Sequence, residues 1–505
     1  MKKKLQNGQI LIMATIFMAA LLVVLFGLFQ SGRTTTEKTR LQATADSAAY
    51  SAAMLQARDL NLQAVLNRAM ISSQVLVGQS VAISSYMQVN QQMWYWLENV
   101  GDLVEFVPYI GKIIGSGTDL AQKVFGGINK QTQFSLNQLT SFTNIANSSF
   151  SKFSQAWHLT TVASIPSLVK TVLSTNDSSI EVPLLGLTWL GIDIKRQAQQ
   201  SQRATLDKAE RQSKHGSDRQ AADQFRQVIL DSRDGFTKNR SRNFWNLNLL
   251  FAKTQMTQRG GTAMGVAPGK KLPYYSWSAA DTVSLQGKWA FCGFFKRCPW
   301  KEWLPVAWGR QATWHKNTFR WQKDEALYNG AATTNKNAWR SIETRDRING
   351  GYLEGTGNSI STSGHFKVLQ GVVNRGFGAG GLNSESGMKD FQYWDAVKTA
   401  KLCDLKQDKQ QSQGCPIRVF IIKPDSGFAT IANNSLLSTS EDKEQKQVYI
   451  QALSAAAAMF EAPASATKNT VELANLYQPY WTARLIAWPS ETDRIAAHAL
   501  AEVGL

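Results

Sequence analysis

Residues Ile10 to Phe29 read ILIMATIFMAALLVVLFGLF, twenty positions without a charge and with one threonine as the only polar side chain. At 1.5 Å per residue a helix of this length reaches about 30 Å, the thickness of a bilayer's hydrocarbon core. A run of this kind has few fates. It crosses a membrane, or it is removed as a signal peptide. The apolar stretch is long for a signal peptide, and it ends in FQSGR rather than in a small-x-small cleavage site. We therefore read a retained single-pass anchor over residues 10–29, preceded by a short cytoplasmic start at 1–9. Lys2, Lys3 and Lys4 favour that start inside, and Arg33, Lys38 and Arg40 on the other flank weaken the bias.

Four cysteines decide the orientation. They lie at 292, 298, 403 and 415, as two close pairs. Four cysteines allow three pairings, and spacing does not choose among them. Local pairing, Cys292 with Cys298 and Cys403 with Cys415, is the simplest, and closing so short a loop contributes about 3 kcal/mol in the chain-entropy account. Disulfides belong outside the cytosol, so the bulk of the chain is expected on the exported side. Zinc is the rival reading. It lacks CxxC spacing and nearby histidines, and we expect no metal.

Past the anchor, residues 37–97 contain no proline and one glycine, Gly78. Ala, Leu, Gln and Arg dominate, so the anchor is expected to continue as one long helix, or as two with a break at Gly78. Leu41, Ala45, Ala48, Ala52, Leu55, Leu62, Leu66 and Ala69 recur at steps of three and four, interrupted at Asp59. Ala45, Ala49 and Ala53 stand four apart, with Thr44, Ser47 and Ser51 keeping neighbouring positions small. Small residues at that step let another backbone approach closely. Two uses fit: a dock for a partner's helix, or packing against the protein's own next element.

The same stretch carries a resemblance. A Gly8-Gln9 pair, one apolar helix, and then Arg40, Leu41, Gln42, Ala45, Asp46, Ala48 and Ala49, followed by Ala52 and Ala53, resemble the start of TadG-like proteins. These are the TadE/TadG-like components of tight-adherence (Flp-type) pilus assembly. A looser likeness covers Asn475 to Trp481 and Ala483 to Leu485. The resemblance implies a non-enzymatic assembly protein whose partners are other pilus assembly proteins or pilins and the inner membrane. It implies a location in the inner membrane with the bulk of the chain periplasmic, or at the cell surface. Met13 stands where a processed pilin would carry glutamate five residues after the cut, which favours an anchored component over a filament subunit.

The remainder reads more coarsely. Residues 101–180 are expected to be helical: one amphipathic segment around Leu103 to Ile114, broken by Pro108, Gly115 and Gly117, and another around Phe134 to Phe153, folding back on the long helix as a bundle. Residues 195–243 are highly charged and read as a solvated helix. Leu184 to Ile194, Thr282 to Phe295, His365 to Val373 and Ile417 to Ile422 read as strands, and 441–462 and 491–503 as helices. The fold class expected is α+β. An N-terminal transmembrane helix continues into a long Ala-rich helix (30–100) and a helical bundle (101–180). A mixed β-rich exported domain (181–440) and a C-terminal helical region (441–505) follow.

Net charge is +18 and pI about 9.7, which suits polyanionic or anionic-surface partners. Trp300, Trp303, Trp308 and Trp314 stand among Lys296, Arg297, Lys301, Arg310 and Lys316. Aromatics interleaved with bases can stack on sugars and neutralise acids. In an exported protein this points to envelope glycans, with a surface adhesin as the second functional class, and not to nucleic acid; a Trp-rich core edge is the bland alternative. No HExxH, GxSxG or Walker A motif occurs. Gly376 to Gly381 matches GxGxxG without a βαβ frame and reads as a turn. The five histidines are scattered. We expect no enzyme and no cofactor.

Overall fold

The computed structural model describes residues 7–104, 110–204, 216–248, 252–267, 274–289, 299–312, 389–405, 413–424, 449–462, 474–489 and 491–503. The chain is of the α+β class. It divides into two compact units that interleave in sequence: residues 1–65, 154–202 and 392–505 form one, and residues 66–153 and 203–391 the other. Helix α1 (Asn7–Val104) runs without interruption through the apolar segment, the Ala-rich stretch and Gly78. Helix α2 (Ile110–Asn176) is likewise continuous through Gly115, Gly117 and Pro166, where two segments were expected. The chain passes between units inside α1, inside α2, and within the short strands β1 (Ser201–Ala204) and β6 (Phe391–Trp394).

The first unit is built on helix α3 (Leu184–Gln200), helix α6 (Ala396–Cys403), a three-stranded sheet and helix α7 (Glu491–Val503). The sheet has the order β7 (Ile417–Pro424), β8 (Tyr449–Phe460), β9 (Trp481–Ile486), and both pairings are antiparallel. Alternation sorts its two faces. Ile417, Val419, Ile421, Ile450, Ala452 and Ala456 meet α1 and the C-terminal part of α2, where Ile165, Val169 and Leu173 complete the core. Phe420, Ile422 and Leu453 meet Trp189 of α3 and Ala497 of α7.

Two elements of this unit differ from the sequence expectation. Residues 184–194 are helix, not strand. The buried positions of α3 are Gly186, Trp189, Leu190, Asp193, Gln197 and Gln200, a helical period half made of polar side chains and invisible to a count of apolar ones. Gly186 is small of necessity, because a Cβ there would lie 2.7 Å from the Phe420 carbonyl oxygen. Residues 449–460 are strand, not helix. Alanine's helix preference is a fraction of a kcal/mol per residue, and here packing overrides it. Ala456, Ala457 and Ala458 are at 0% exposure, with Ala456 and Ala458 packed against residues of α1.

The second unit holds α4 (Gly216–Asp231), the one-turn α5 (Gly235–Lys238) and a four-stranded antiparallel sheet of order β2 (Arg242–Asn248), β3 (Ala252–Ala267), β4 (Tyr274–Trp289), β5 (Lys301–Ala312). β3 and β4 pair without a break from Ala252↔Trp289 to Ala267↔Tyr274. α1 covers one face of this sheet: the fully buried Trp277 ring lies on Gly78, where a Cβ would sit 2.8 Å from the indole. That contact explains the lone glycine in the helix, read from sequence as a possible break. The charged stretch around Lys238 to Arg242 is not wholly solvated. Arg240 is buried, with a two-pronged ion pair to Asp281 at 2.9 and 3.0 Å and further bonds to Thr262 Oγ1 and the Gly261 carbonyl. Asp281 also accepts from Ser85 Oγ of α1 at 2.6 Å.

Candidate functional site

The site begins with the apolar end of α1. Large side chains from Leu11 to Phe29 are exposed, for example Met13 at 76% and Val23 at 71%, whereas from Leu41 onward the same helix buries a face. Leaving a continuous apolar cylinder in water is unfavourable at about 25 cal/mol per Å². Among the described residues α1 is the helix long and apolar enough to cross a membrane.

Eight residues past the end of that run, Glu37 bonds Lys423 Nζ of β7 at 2.8 Å, and Lys423 also reaches Asp177 at 2.9 Å, just past the end of α2. The hydrogen bond from Lys423 is the main cause that holds Glu37 below its ordinary pKa. Ser179 chiefly, with Lys423, lowers Asp177 strongly, and the two acids raise Lys423.

The motif residues follow. Arg40 is exposed. Leu41, Ala45, Ala48, Ala49, Ala52 and Ala53 lie in one core cluster, the alanines at 0% exposure, against β7, β8, Ala483 of β9, α2 and Leu190 of α3. Gln42 Nε2 donates to the Leu453 carbonyl of β8 at 2.9 Å and to Asp46 Oδ1 at 2.9 Å. Asp46 thus orients an amide that grips a strand backbone. Of the two uses open to this stretch, packing against the protein's own next element is the one these contacts display. The small face exists for close approach, and the element that approaches is the protein's own sheet.

The grip continues up the helix. Gln56 Oε1 accepts from the Ala458 N–H at 3.1 Å and Gln56 Nε2 donates to Gln200 Oε1 at 2.9 Å. Asn61 makes a reciprocal pair with the backbone of Trp481, donating to its carbonyl at 2.8 Å and accepting from its N–H at 2.9 Å. Asp59, the residue that interrupts the apolar seam, is buried and accepts from His158 Nδ1 of α2 at 2.6 Å and from Gln63 Nε2 at 3.0 Å. Gln63 Oε1 in turn accepts from Ser201 Oγ at 2.6 Å. Burial would lower the His158 pKa, but the hydrogen bond and charge of Asp59 outweigh it and hold the imidazolium above its ordinary value. Sequence reading missed this ladder. Its signal was a set of amides and one acid placed on the buried side of a helical period.

Of the disulfide candidates, Cys403 and Cys415 are joined, tying the end of α6 to the start of β7. Cys292 and Cys298 lie outside the described residues, as do Trp314, His215, His315, residues 365–373 and the glycine-rich turn at 376–381. Trp303 and Trp308 belong to β5, and Trp308 stands opposite Thr282 of β4. Trp300, just before β5, is exposed. Among the described residues no cluster of His, Cys, Asp or Glu could hold a metal ion.

No curated protein and no solved structure matches the chain. A family model described as putative Flp pilus-assembly TadE/G-like matches residues 8–56, the span from the apolar end of α1 to Gln56. Over that segment, the exposed apolar helix and the buried alanine face that follows it, the chain is similar to TadE/G-like Flp pilus-assembly proteins.

Proposed function

We propose that this chain is a non-enzymatic, membrane-anchored component of a Flp-type pilus assembly system. The observation that carries the reading is the continuity of α1: an exposed apolar span passes, without a linker, into a TadE/G-like segment whose alanines are sealed on the protein's own sheet. In this reading residues 10–29 hold the chain in the inner membrane and the two units stand on the periplasmic side. The Cys403–Cys415 disulfide supports that side, since such bonds persist in oxidising compartments. Partners are other pilus components. The alanine face is occupied within the chain, so helix–helix contacts with them fall to the bilayer segment, and the remainder to the exported surface.

A fractionation experiment tests this. The C-terminus is tagged, cells are sheared, and released filaments are compared with washed inner membrane. The tag is expected in the inner membrane alone, protected from protease until the outer envelope is opened. Recovery of the tag in sheared filaments would overturn the assembly role in favour of a filament subunit. Protease resistance after the envelope is opened would overturn the orientation.

A further inference from the structure

One face of the β2–β5 sheet is taken by α1, which covers Trp277 and Asp281. Side chains of β4 two apart share a face. Lys288 and Gln286 therefore lie on the face opposite to Trp277 and Asp281. The register then lines up two rungs there. In the first, Asn248 stands opposite Lys253 and Lys253 opposite Lys288. The Lys288 ammonium lies 4.9 Å from the centre of the Trp300 ring, at the entry to β5. In the second, Asn246 stands opposite Gln255 and Gln255 opposite Gln286, the two glutamines joined by a hydrogen bond of 3.0 Å; the register continues to Glu302. Asn246, Asn248, Lys253 and Trp300 are exposed, Trp300 at 38%. Among the described residues neither lysine has a carboxylate partner. Three strand spacings make the rung about 14 Å wide.

We infer that this face binds an acidic polysaccharide: Trp300 stacks on a sugar ring, Lys253 and Lys288 neutralise its carboxylates, and Asn246 and Asn248 bond its hydroxyls. Side-chain amides both donate and accept, as hydroxyls do, and suit a polyol better than a row of cations alone would. An indole beside an ammonium offers a flat apolar surface next to a charge. A single-stranded nucleic acid would use the tryptophan and lysines too. The Cys403–Cys415 disulfide suits an oxidising compartment, where extracellular and envelope polysaccharides are the polyanions at hand. The inference stands apart from the pilus reading and does not need it.

The test uses the full chain in detergent micelles on immobilised polygalacturonate, with neutral dextran and poly(dT) as comparisons. Polygalacturonate is expected to retain the protein, dextran not, and poly(dT) more weakly. Trp300→Ala is expected to weaken retention about tenfold, the scale of one lost stacking platform. The Lys253→Gln/Lys288→Gln double variant should weaken it and flatten its salt dependence. Lys253 and Trp300 are exposed and Lys288 half-buried, and unchanged hydrogen exchange in β3 and β4 verifies the fold of each variant. Wild-type retention by both variants would overturn the site. Tighter binding of poly(dT), lost in the same variants, would overturn the ligand class.

Discussion

Replacing Ala49 with leucine separates the two uses that a small-residue face can have. Ala49 is completely buried in the cluster formed with β7, β8 and α2. Leucine adds three carbon atoms at a position with no open space. The helix is also held there from both sides of the site, by the Gln42 bond to Leu453 and the Gln56 bond to Ala458. The face cannot open without breaking those bonds, so the added volume is met as overpacking, at a cost of about 1–3 kcal/mol. The matched control is Ala43→Leu, six residues earlier on the exposed side of the same helix, where surface substitutions change stability by no more than about 0.5 kcal/mol. Hydrogen exchange of the β8 amides reads the difference locally, which a single melting temperature for a two-unit chain does not. Ala49→Leu is expected to speed exchange at Ala452 to Ala458 about 5- to 150-fold, the equivalent of that cost. Ala43→Leu should leave it unchanged. If Ala49→Leu leaves β8 exchange at the wild-type rate while its association with other pilus components falls, the face serves a partner and not the protein's own sheet.

Three further perturbations probe the same logic elsewhere. Gly78→Ala places a methyl group 2.8 Å from the Trp277 ring, and should destabilise the second unit by about 1–3 kcal/mol; combining it with Trp277→Leu should recover part of the loss, and additive exchange rates in β4 would refute the contact. Arg240→Met removes the ion-pair partner of Asp281, whose carboxylate is fully buried, and is expected to cost about 3–5 kcal/mol, read as faster exchange across β3 and β4; a cost under about 1 kcal/mol would refute a structural role for the pair. The His158 pair predicts a pH dependence: its folded pKa is raised by Asp59, so its contribution is complete below the unfolded value of about 6.5 and is lost as pH rises through the folded value. The stability gap between wild type and His158→Gln should therefore shrink on alkalinisation from pH 6 to pH 9, and a gap independent of pH would show that the imidazolium is not what Asp59 holds.

The parts of this fold legible in the sequence are those where one physical preference acts alone. The apolar run could be little but a spanning helix, β7 carried the unbroken Ile-Arg-Val-Phe-Ile-Ile of a strand buried on both faces, and α7 kept a helical period. Elements specified by their neighbours were not legible. The alanines of β8 have helical propensity, and only the close approach of packed elements makes a strand of them. α3 hides its period in Asp193, Gln197 and Gln200, whose partners Arg418 and Cys415 lie over two hundred residues away. Gly78 looked like a break because the ring resting on it, Trp277, comes from a distant strand. The interleaving of the two units has no sequence mark either, since the chain changes unit inside α1 and inside α2, where helical propensity is uninterrupted.

The segment that matches the family model acquires a physical reason from this arrangement. Its first half, in the exposed run, has to be apolar, and many sequences satisfy that. Its second half has to be small on one face and amide-bearing beside it, because the sheet backbone comes within reach of Gln42 and Gln56. A flexible tether past Phe29 would leave the first unit free to turn about the apolar segment. The chain instead spans the short distance from Phe29 to Leu41 in unbroken helix, with Glu37 already tied to Lys423 and through it to Asp177. A tilt or rotation of the apolar segment is then passed to the first unit instead of being absorbed in a linker. Inserting a Gly-Ser-Gly-Ser segment after Gly32 tests this: insertion and β8 exchange should stay as in the wild type while pilus assembly is lost. Normal assembly in that variant would mean that the anchor only retains the protein, and that its rigid junction with the sheet serves stability alone.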